Sequence, residues 1–115
     1  MAATVLKGAQ ATGSNAGTPI AEVGIVMADG KGNVTGQDVV NLGGTSTSRT
    51  TAGTYDVNSD CTITAELTFT GTTTNSVITA NFFGVIVLGG TEVYLNQTDP
   101  NTVVTGFIKK ISPHQ

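Results

Sequence analysis

The chain has 115 residues, a length typical of one domain with one modest hydrophobic core. Hydrophobic residues make up 38% and charged residues only 11%, against a typical charged share of about 25%, and the formal net charge is −3. The five basic residues are scattered except for Lys109 and Lys110, and aromatics are sparse, which argues against nucleic-acid binding. No apolar run is long enough to span a bilayer.

Extended segments alternate with turn-rich segments along the whole chain, as is typical of an all-β protein. The clearest extended segment is "CTITAELTF" (residues 61–69), in which apolar and polar residues alternate. Alternation with period 2 places the two sets on opposite faces of a strand. The predicted strands, in chain order, are residues 3–11, 19–29, 33–42, 47–57, 61–69, 76–88, 91–98 and 101–111.

Short turns connect nearly all of these strands. Asp-Gly and Gly-Gly pairs supply the positive φ of tight hairpins, and residues 13–19 form the longest linker, a candidate mobile loop. Because consecutive hairpins form a meander, we predict that residues 1–115 form a single antiparallel up-and-down β-barrel of about eight strands. A β-sandwich is the alternative. Glycines within strands agree with the sharp coiling of a barrel: Gly24, Gly36, Gly53, Gly84 and Gly106.

The apolar faces of the strands predict which residues fill the barrel. Glu22 and Asp38 lie opposite the apolar runs of their strands and Glu66 lies on a threonine face, so all three carboxylates are predicted to face solvent, with no catalytic pair among them. A barrel of this size is either filled by side chains or holds one small ligand. The predicted interior residues are Val23, Ile25, Ile63, Leu67, Phe69, Phe82, Ile86, Val93 and Leu95.

The single cysteine, Cys61, stands at the start of the clearest strand, on its apolar face. We therefore predict a small buried hydrophobic residue, the first inward residue of that strand. A nucleophilic thiolate would need a basic partner, and the only histidine is His114, close to the C-terminus. An intermolecular disulfide is a further alternative. No catalytic residue and no cofactor are predicted.

Asp56, Asn58 and Asp60 occupy alternate positions just before this cysteine, like the first three ligands of a calcium loop. Such a loop requires glycine at its sixth position and glutamate at its twelfth, where this chain has Cys61 and Leu67, so an EF-hand is excluded. The alternative is a turn in which the side chains bond the local backbone. The three residues remain a candidate for a weak calcium site, whereas zinc is not expected.

Three segments together resemble a group of small exported bacterial proteins of uncharacterised function. They are "ADGKGNVTGQDVV" (residues 28–40), "TAGTYDVNSDCTITAELTF" (51–69) and "YLNQTDPNTVVTGFIKK" (94–110). In that group, a "DGxGN" turn is followed by "GTYxVNxDCT" and then by "QTDPGTVVxG". The resemblance spans most of the chain after Pro19 and implies an exported β-barrel without assigned catalytic residues. In that case, we expect the protein to be periplasmic or extracellular, with a signal peptide removed and Met1 added.

Three functional hypotheses follow. The first is a non-enzymatic exported protein, an interaction module or a surface component that a host immune system would recognise as an antigen, because no catalytic set is visible. The second is a small-molecule binder with an apolar cavity in the barrel, because small residues on the strands could leave room. The third is a barrel enzyme with few polar groups, such as a cyclase. The expected partner is a protein or a small apolar ligand, with neither nucleic acid nor a membrane span.

Overall fold

The computed structural model describes residues 2–10 and 17–111, and within them eight antiparallel strands form a closed barrel in chain order. Strand β8 pairs with β1, which closes the barrel and removes the free sheet edges. The predicted all-β, eight-stranded up-and-down barrel is confirmed, and the sandwich alternative is wrong. The strands are β1 (Ala2–Gln10), β2 (Pro19–Ala28), β3 (Asn33–Leu42), β4 (Thr45–Val57), β5 (Thr62–Gly71), β6 (Val77–Val87), β7 (Glu92–Gln97) and β8 (Thr102–Lys110), with a short 3-10 turn (Leu88–Gly90) between β6 and β7.

Strand boundaries agree with the sequence prediction to within two residues. The predicted linker at residues 13–19 falls largely, and His114 wholly, outside the described residues. Among residues 2–10 and 17–111, no helix is long and apolar enough to cross a membrane.

The face of strand β2 that points into the barrel is the opposite of the one predicted. Val23 and Ile25, predicted to lie inside, are 59% and 39% exposed on the outer surface, whereas Glu22 is only 5% exposed. The cause is Gly24, because a Cβ atom there would lie 2.4 Å from the backbone oxygen of Gln37 on β3. The crowded inner side of the coiled strand admits no side chain at this position. Because side chains alternate between the two faces of a strand, Glu22 points inward and Val23 and Ile25 point outward.

The same reasoning applies to β3. A Cβ atom at Gly36 would lie 2.2 Å from the backbone oxygen of Ile25, so Gly36 also lies on the crowded inner side. Asp38, two residues further on, therefore points inward and is 6% exposed. The prediction that Glu22 and Asp38 face solvent is wrong, whereas Glu66 is exposed as predicted.

The turns between β2 and β3, between β4 and β5, and between β6 and β7 all lie at one end of the barrel, which we call the open end. The first of these turns is built by Asp29, whose carboxylate accepts hydrogen bonds from the backbone N–H groups of Lys31 (2.7 Å) and Asn33 (3.0 Å). A bond from the Asn33 side chain, together with these two backbone bonds, holds the pKa of Asp29 below its usual value. Gly30 and Gly32 supply the positive φ angles of the turn, 77° and 99°.

Apolar side chains from several strands pack together inside the barrel. The buried cluster consists of Leu6, Phe69, Ala80, Phe82, Leu95 and Val104. Leu67 and Val93, which are also predicted to lie inside, pack against this cluster.

Candidate functional site

The interior of the barrel contains a cavity of about 280 Å³. For comparison, an engineered apolar cavity of about 150 Å³ binds benzene. The cavity reaches the exposed residues Ala28, Thr91 and Lys110, so it opens to solvent at the open end of the barrel. Its walls are mainly apolar, and six of the nine residues predicted to lie inside line it: Ile63, Leu67, Phe69, Phe82, Val93 and Leu95.

The inner end of the cavity is polar. Four residues bring carboxyl or hydroxyl groups to it from strands β1 to β4, and each is at most 6% exposed. They are neighbours across the sheet. Gly24, two residues from Glu22 on β2, pairs with Thr4 on β1 and with Asp38 on β3. Asp38 pairs with Arg49 on β4, and Thr51 follows Arg49 by two residues. The four are Thr4, Glu22, Asp38 and Thr51.

Asp38 is neutralised by Arg49, the residue that lies directly opposite it on β4. The Arg49 Nε–H group donates to Asp38 Oδ1 at 2.9 Å, and Nη2 donates to Oδ2, which makes a bidentate pair. The Asp38 side chain is 2% exposed and that of Arg49 is 11% exposed. The guanidinium carbon also lies 4.2 Å from the centre of the Phe69 ring, a cation–π contact. Arg49 is thus held between Asp38 and Phe69.

Glu22 has no such partner. Its Oε1 atom is fully buried and makes no hydrogen bond with any described group. Burial raises the pKa of Glu22 from 4.5 to about 8; the negative charge of Asp38 adds to the rise, and the positive charge of Arg49 opposes it. At pH 7, Glu22 is therefore mainly a neutral carboxylic acid beside the ion pair of Asp38 and Arg49.

This arrangement permits two kinds of chemistry. A neutral carboxylic acid in an apolar cavity can donate a hydrogen bond or a proton to a bound molecule, as a general acid does. It can also ionise if a ligand brings a positive charge to it. Both oxygens of Asp38 already accept hydrogen bonds from Arg49. Glu22 is therefore the carboxyl group at the inner end that has a buried oxygen without a hydrogen-bond partner.

Cys61 is not the buried residue that the sequence predicts. It is exposed and lies in the turn before β5, with φ of 66°. Its N–H group donates to the Asn58 carbonyl at 3.1 Å, so the turn extends through the cysteine, and the inward alternation of β5 starts later, at Ile63. The Cys61 thiol is far from the polar end of the cavity along the strand and is not part of it.

The candidate calcium residues are divided between a strand and a turn. Asp56 lies on β4, whereas Asn58 and Asp60 lie in the following turn. The Asp60 carboxylate accepts hydrogen bonds from the backbone N–H group (3.1 Å) and hydroxyl group of Thr62, and the Asn58 amide donates to the same hydroxyl at 3.0 Å. The bonds from Thr62 hold the pKa of Asp60 below its usual value. Asp60 therefore serves the turn, and a calcium site here stays a prediction.

The third motif segment also contains a turn-building carboxylate. Asp99 accepts bonds from the backbone N–H and side-chain amide of Asn81, both at 2.8 Å, and from the amide of Gln97 at 2.9 Å. Burial alone would raise the pKa of Asp99, but these hydrogen bonds outweigh it and lower the pKa. Asp29, Asp60 and Asp99 thus shape turns in the three segments on which the family resemblance depends. Among residues 2–10 and 17–111, no three His, Cys, Asp or Glu side chains are grouped to hold a metal ion.

Comparison of the chain with known protein families, with curated proteins and with solved structures finds no significant match. The resemblance to small exported bacterial proteins, and export itself, therefore stay predictions.

Proposed function

We propose that the barrel binds a small, mainly apolar molecule that carries one polar group. The observation that supports this most strongly is the cavity of about 280 Å³, which has apolar walls, opens at one end and carries buried polar groups at the other. Ligand sites in proteins are typically apolar concavities with a few polar groups that fix the orientation of the ligand. The cavity lies close to the lower size limit of such sites, about 300 Å³, so a bicyclic molecule is a suitable probe.

The polar groups explain why an entirely apolar ligand is less suitable. The Oε1 atom of Glu22 is buried without a hydrogen-bond partner, and an unsatisfied buried polar group costs about 1–3 kcal/mol. A ligand whose polar group reaches Glu22 recovers part of this cost. A hydrocarbon ligand recovers none of this cost, although its transfer out of water still contributes favourable binding free energy.

Titration calorimetry with 1-naphthylmethanol tests this function. We expect a Kd in the micromolar to millimolar range, since a small ligand of this kind has few atoms with which to gain binding energy. Ala65→Phe places a ring in the cavity and should abolish binding, because Ala65 lines the cavity opposite Phe82. Ala65→Leu, a smaller change, should weaken binding less.

The matched control is Ala52→Phe, because Ala52 is exposed on the neighbouring strand β4. This variant should bind like the original protein. If Ala65→Phe, folded by far-UV circular dichroism, binds as well as Ala52→Phe, the ligand does not occupy the cavity and the proposal is wrong.

Self-association is a second candidate function, favoured by the outer surface of the barrel. Six apolar residues lie opposite one another across six consecutive strands, from β6 through β8 and β1 to β3. Contiguous exposed apolar patches of this kind mark interaction surfaces. Five of the six are between 38% and 59% exposed, and the other, Val5, is half-buried. This outer row consists of Val85, Tyr94, Phe107, Val5, Val23 and Val39.

A second copy of this chain is the occupant we propose for the outer row. A two-fold interface requires only one patch that is complementary to itself, and the row contains no charged residue that two copies would bring together. Sedimentation velocity from about 1 to about 500 μM should show association that Phe107→Ser weakens and the matched Thr105→Ser does not. A monomer over this whole range would exclude self-association.

A further inference from the structure

We infer that the polar group of the ligand is a protonated amine, held at the inner end of the cavity by Glu22 and Asp38. This inference rests on the proposed binding function and specifies the class of its ligand. It begins from the balance of hydrogen-bond donors and acceptors at the inner end.

The groups at the inner end are mainly acceptors. Glu22 and Asp38 contribute four carboxyl oxygens, one of which carries a proton while Glu22 is neutral, and the hydroxyl groups of Thr4 and Thr51 can each accept as well as donate. Arg49 is the cation closest to them, but it is bound to Asp38 and does not line the cavity in the described part of the chain. A ligand group with several N–H donors therefore matches this end better than a group that mainly accepts.

The balance of charge leads to the same class of ligand. Arg49 neutralises Asp38, which leaves Glu22 as the carboxyl group without a counter-ion. Only 5% of Glu22 is exposed to solvent, so its ionised form is costly unless a cation lies beside it. An ammonium group would supply that cation and would also donate to the unpartnered carboxyl group. Asp38 can contribute further, since a carboxylate has about four lone-pair sites and Arg49 uses two.

Two other ligand classes make different predictions. A carboxylate would meet the negative charge of Asp38 at the inner end, and Lys110 at the open end is the lining residue that could pair with it. It would therefore bind in the reverse orientation. A neutral alcohol could bond with the protonated form of Glu22 and would leave its charge unchanged.

Calorimetry with three matched compounds separates these classes. They are 1-naphthylmethylamine, 1-naphthylmethanol and 1-naphthoate, which share one ring system and differ in the polar group. At pH 7, we expect the amine to bind about tenfold or more tightly than the alcohol and the acid. Parallel titrations in phosphate and Tris buffers should show that the amine releases close to one proton on binding, because Glu22 changes from neutral to ionised. The alcohol should release none.

The proton that Glu22 releases also makes the binding of the amine depend on pH. Amine binding should strengthen by up to about tenfold per unit from pH 6 to pH 8 and then level off, since Glu22 no longer has to lose a proton on binding. At higher pH, where the amine itself loses its proton, binding should weaken again. The charged and titratable groups facing Glu22 are Asp38 and Arg49, with Tyr55 and Lys110 further out along the cavity. Alcohol binding should be constant over this range.

Substitution of Glu22 tests its role directly. Glu22→Gln should weaken amine binding about tenfold or more and remove the proton release, while alcohol binding changes less than about threefold. Glu22→Asp keeps a carboxyl group and should keep the proton release. The matched control, Glu66→Gln, alters an exposed carboxylate and should change neither.

The outcomes distinguish this inference from the function on which it rests. If the alcohol or the acid binds as tightly as the amine, or if proton release persists in Glu22→Gln, the amine inference is wrong and the binding function stands. If none of the three compounds binds, the proposed function is wrong and the inference falls with it.

Discussion

Replacing Glu22 by glutamine should change how the stability of the barrel depends on pH. In the folded protein the pKa of Glu22 is about 8, whereas in the unfolded chain it returns to about 4.5. Below pH 4.5 the carboxyl group is protonated in both states, and its contribution to stability is fully present. As pH rises towards 8, the unfolded chain gives up the proton while the folded barrel retains it, so folding becomes progressively less favourable. Above the folded pKa the loss is complete.

The difference between 4.5 and about 8 corresponds to a loss of at most about 5 kcal/mol, at about 1.36 kcal/mol per pKa unit. This loss is large, because the free energy of unfolding of a domain is usually only about 5–15 kcal/mol. Glutamine keeps one donor and one acceptor but cannot ionise, so Glu22→Gln should not show this loss. Relative to the original protein, its free energy of unfolding should rise steadily from pH 5 to pH 8.

Urea unfolding followed by far-UV circular dichroism, at intervals from about pH 5 to about pH 9, measures this difference. Groups that titrate identically in the two proteins cancel when their curves are subtracted. Glu66→Gln, which alters an exposed carboxylate on β5, should parallel the original protein throughout. If the Glu22→Gln curve also runs parallel to that of the original protein, Glu22 is not a desolvated acid and the electrostatic description of the inner end is refuted.

Three further predictions concern the barrel around the site. Arg49→Met leaves the buried Asp38 carboxylate without a counter-ion and should lower the free energy of unfolding in urea by about 3–5 kcal/mol. The double variant Arg49→Met with Asp38→Asn should recover part of this loss. If the single and the double variant were equally stable, the pairing of Arg49 with Asp38 would be contradicted. Gly24→Ala places a Cβ atom 2.4 Å from a backbone oxygen of β3 and should cost about 3 kcal/mol, so a neutral effect would show that the inner side is not crowded. The Cys61 thiol should react with Ellman's reagent as rapidly in the folded protein as in urea, and protection in the folded state would place it in the interior after all.

The strands and turns of this barrel could be predicted from the sequence because their signals are local. Alternation with period 2 defines each strand, and Asp-Gly and Gly-Gly pairs define the hairpins between them. The faces of β2 and β3 could not be predicted from hydrophobicity. On β2, Val23 and Ile25 form an apolar face, but Ile20 and Val26 make the other face apolar as well. Because the outside of this barrel also carries apolar residues, hydrophobicity does not separate inside from outside.

A different signal in the sequence does separate them. Gly24 and Gly36 lie on the same faces as Glu22 and Asp38, and the inner side of a strongly coiled strand is where a Cβ atom would meet the neighbouring backbone. Other glycines within strands follow the same rule, with a Cβ atom placed between 1.8 and 2.8 Å from a backbone oxygen of the adjacent strand. They are Gly8, Gly53, Gly84 and Gly106. The positions of these glycines would have predicted both inward carboxylates.

The position of Cys61 depended on where a turn ends. By composition, residues 57–60 are enough to form the turn. In the structure the turn also includes Cys61, which has a positive φ of 66°. A positive φ is uncommon for residues other than glycine, asparagine and aspartate, so the sequence carried no signal for it. One residue of turn length moved the thiol from a predicted buried position to the surface.

The most direct test of a ligand-binding barrel is to locate a bound molecule by nuclear Overhauser effects from its ring protons to methyl groups of the protein. With 1-naphthylmethanol, the contacts should involve the methyl groups of Leu67, Leu95 and Val93, which line the cavity. Contacts confined to the outer residues Val23 and Val39 would place the molecule on the surface and contradict the account.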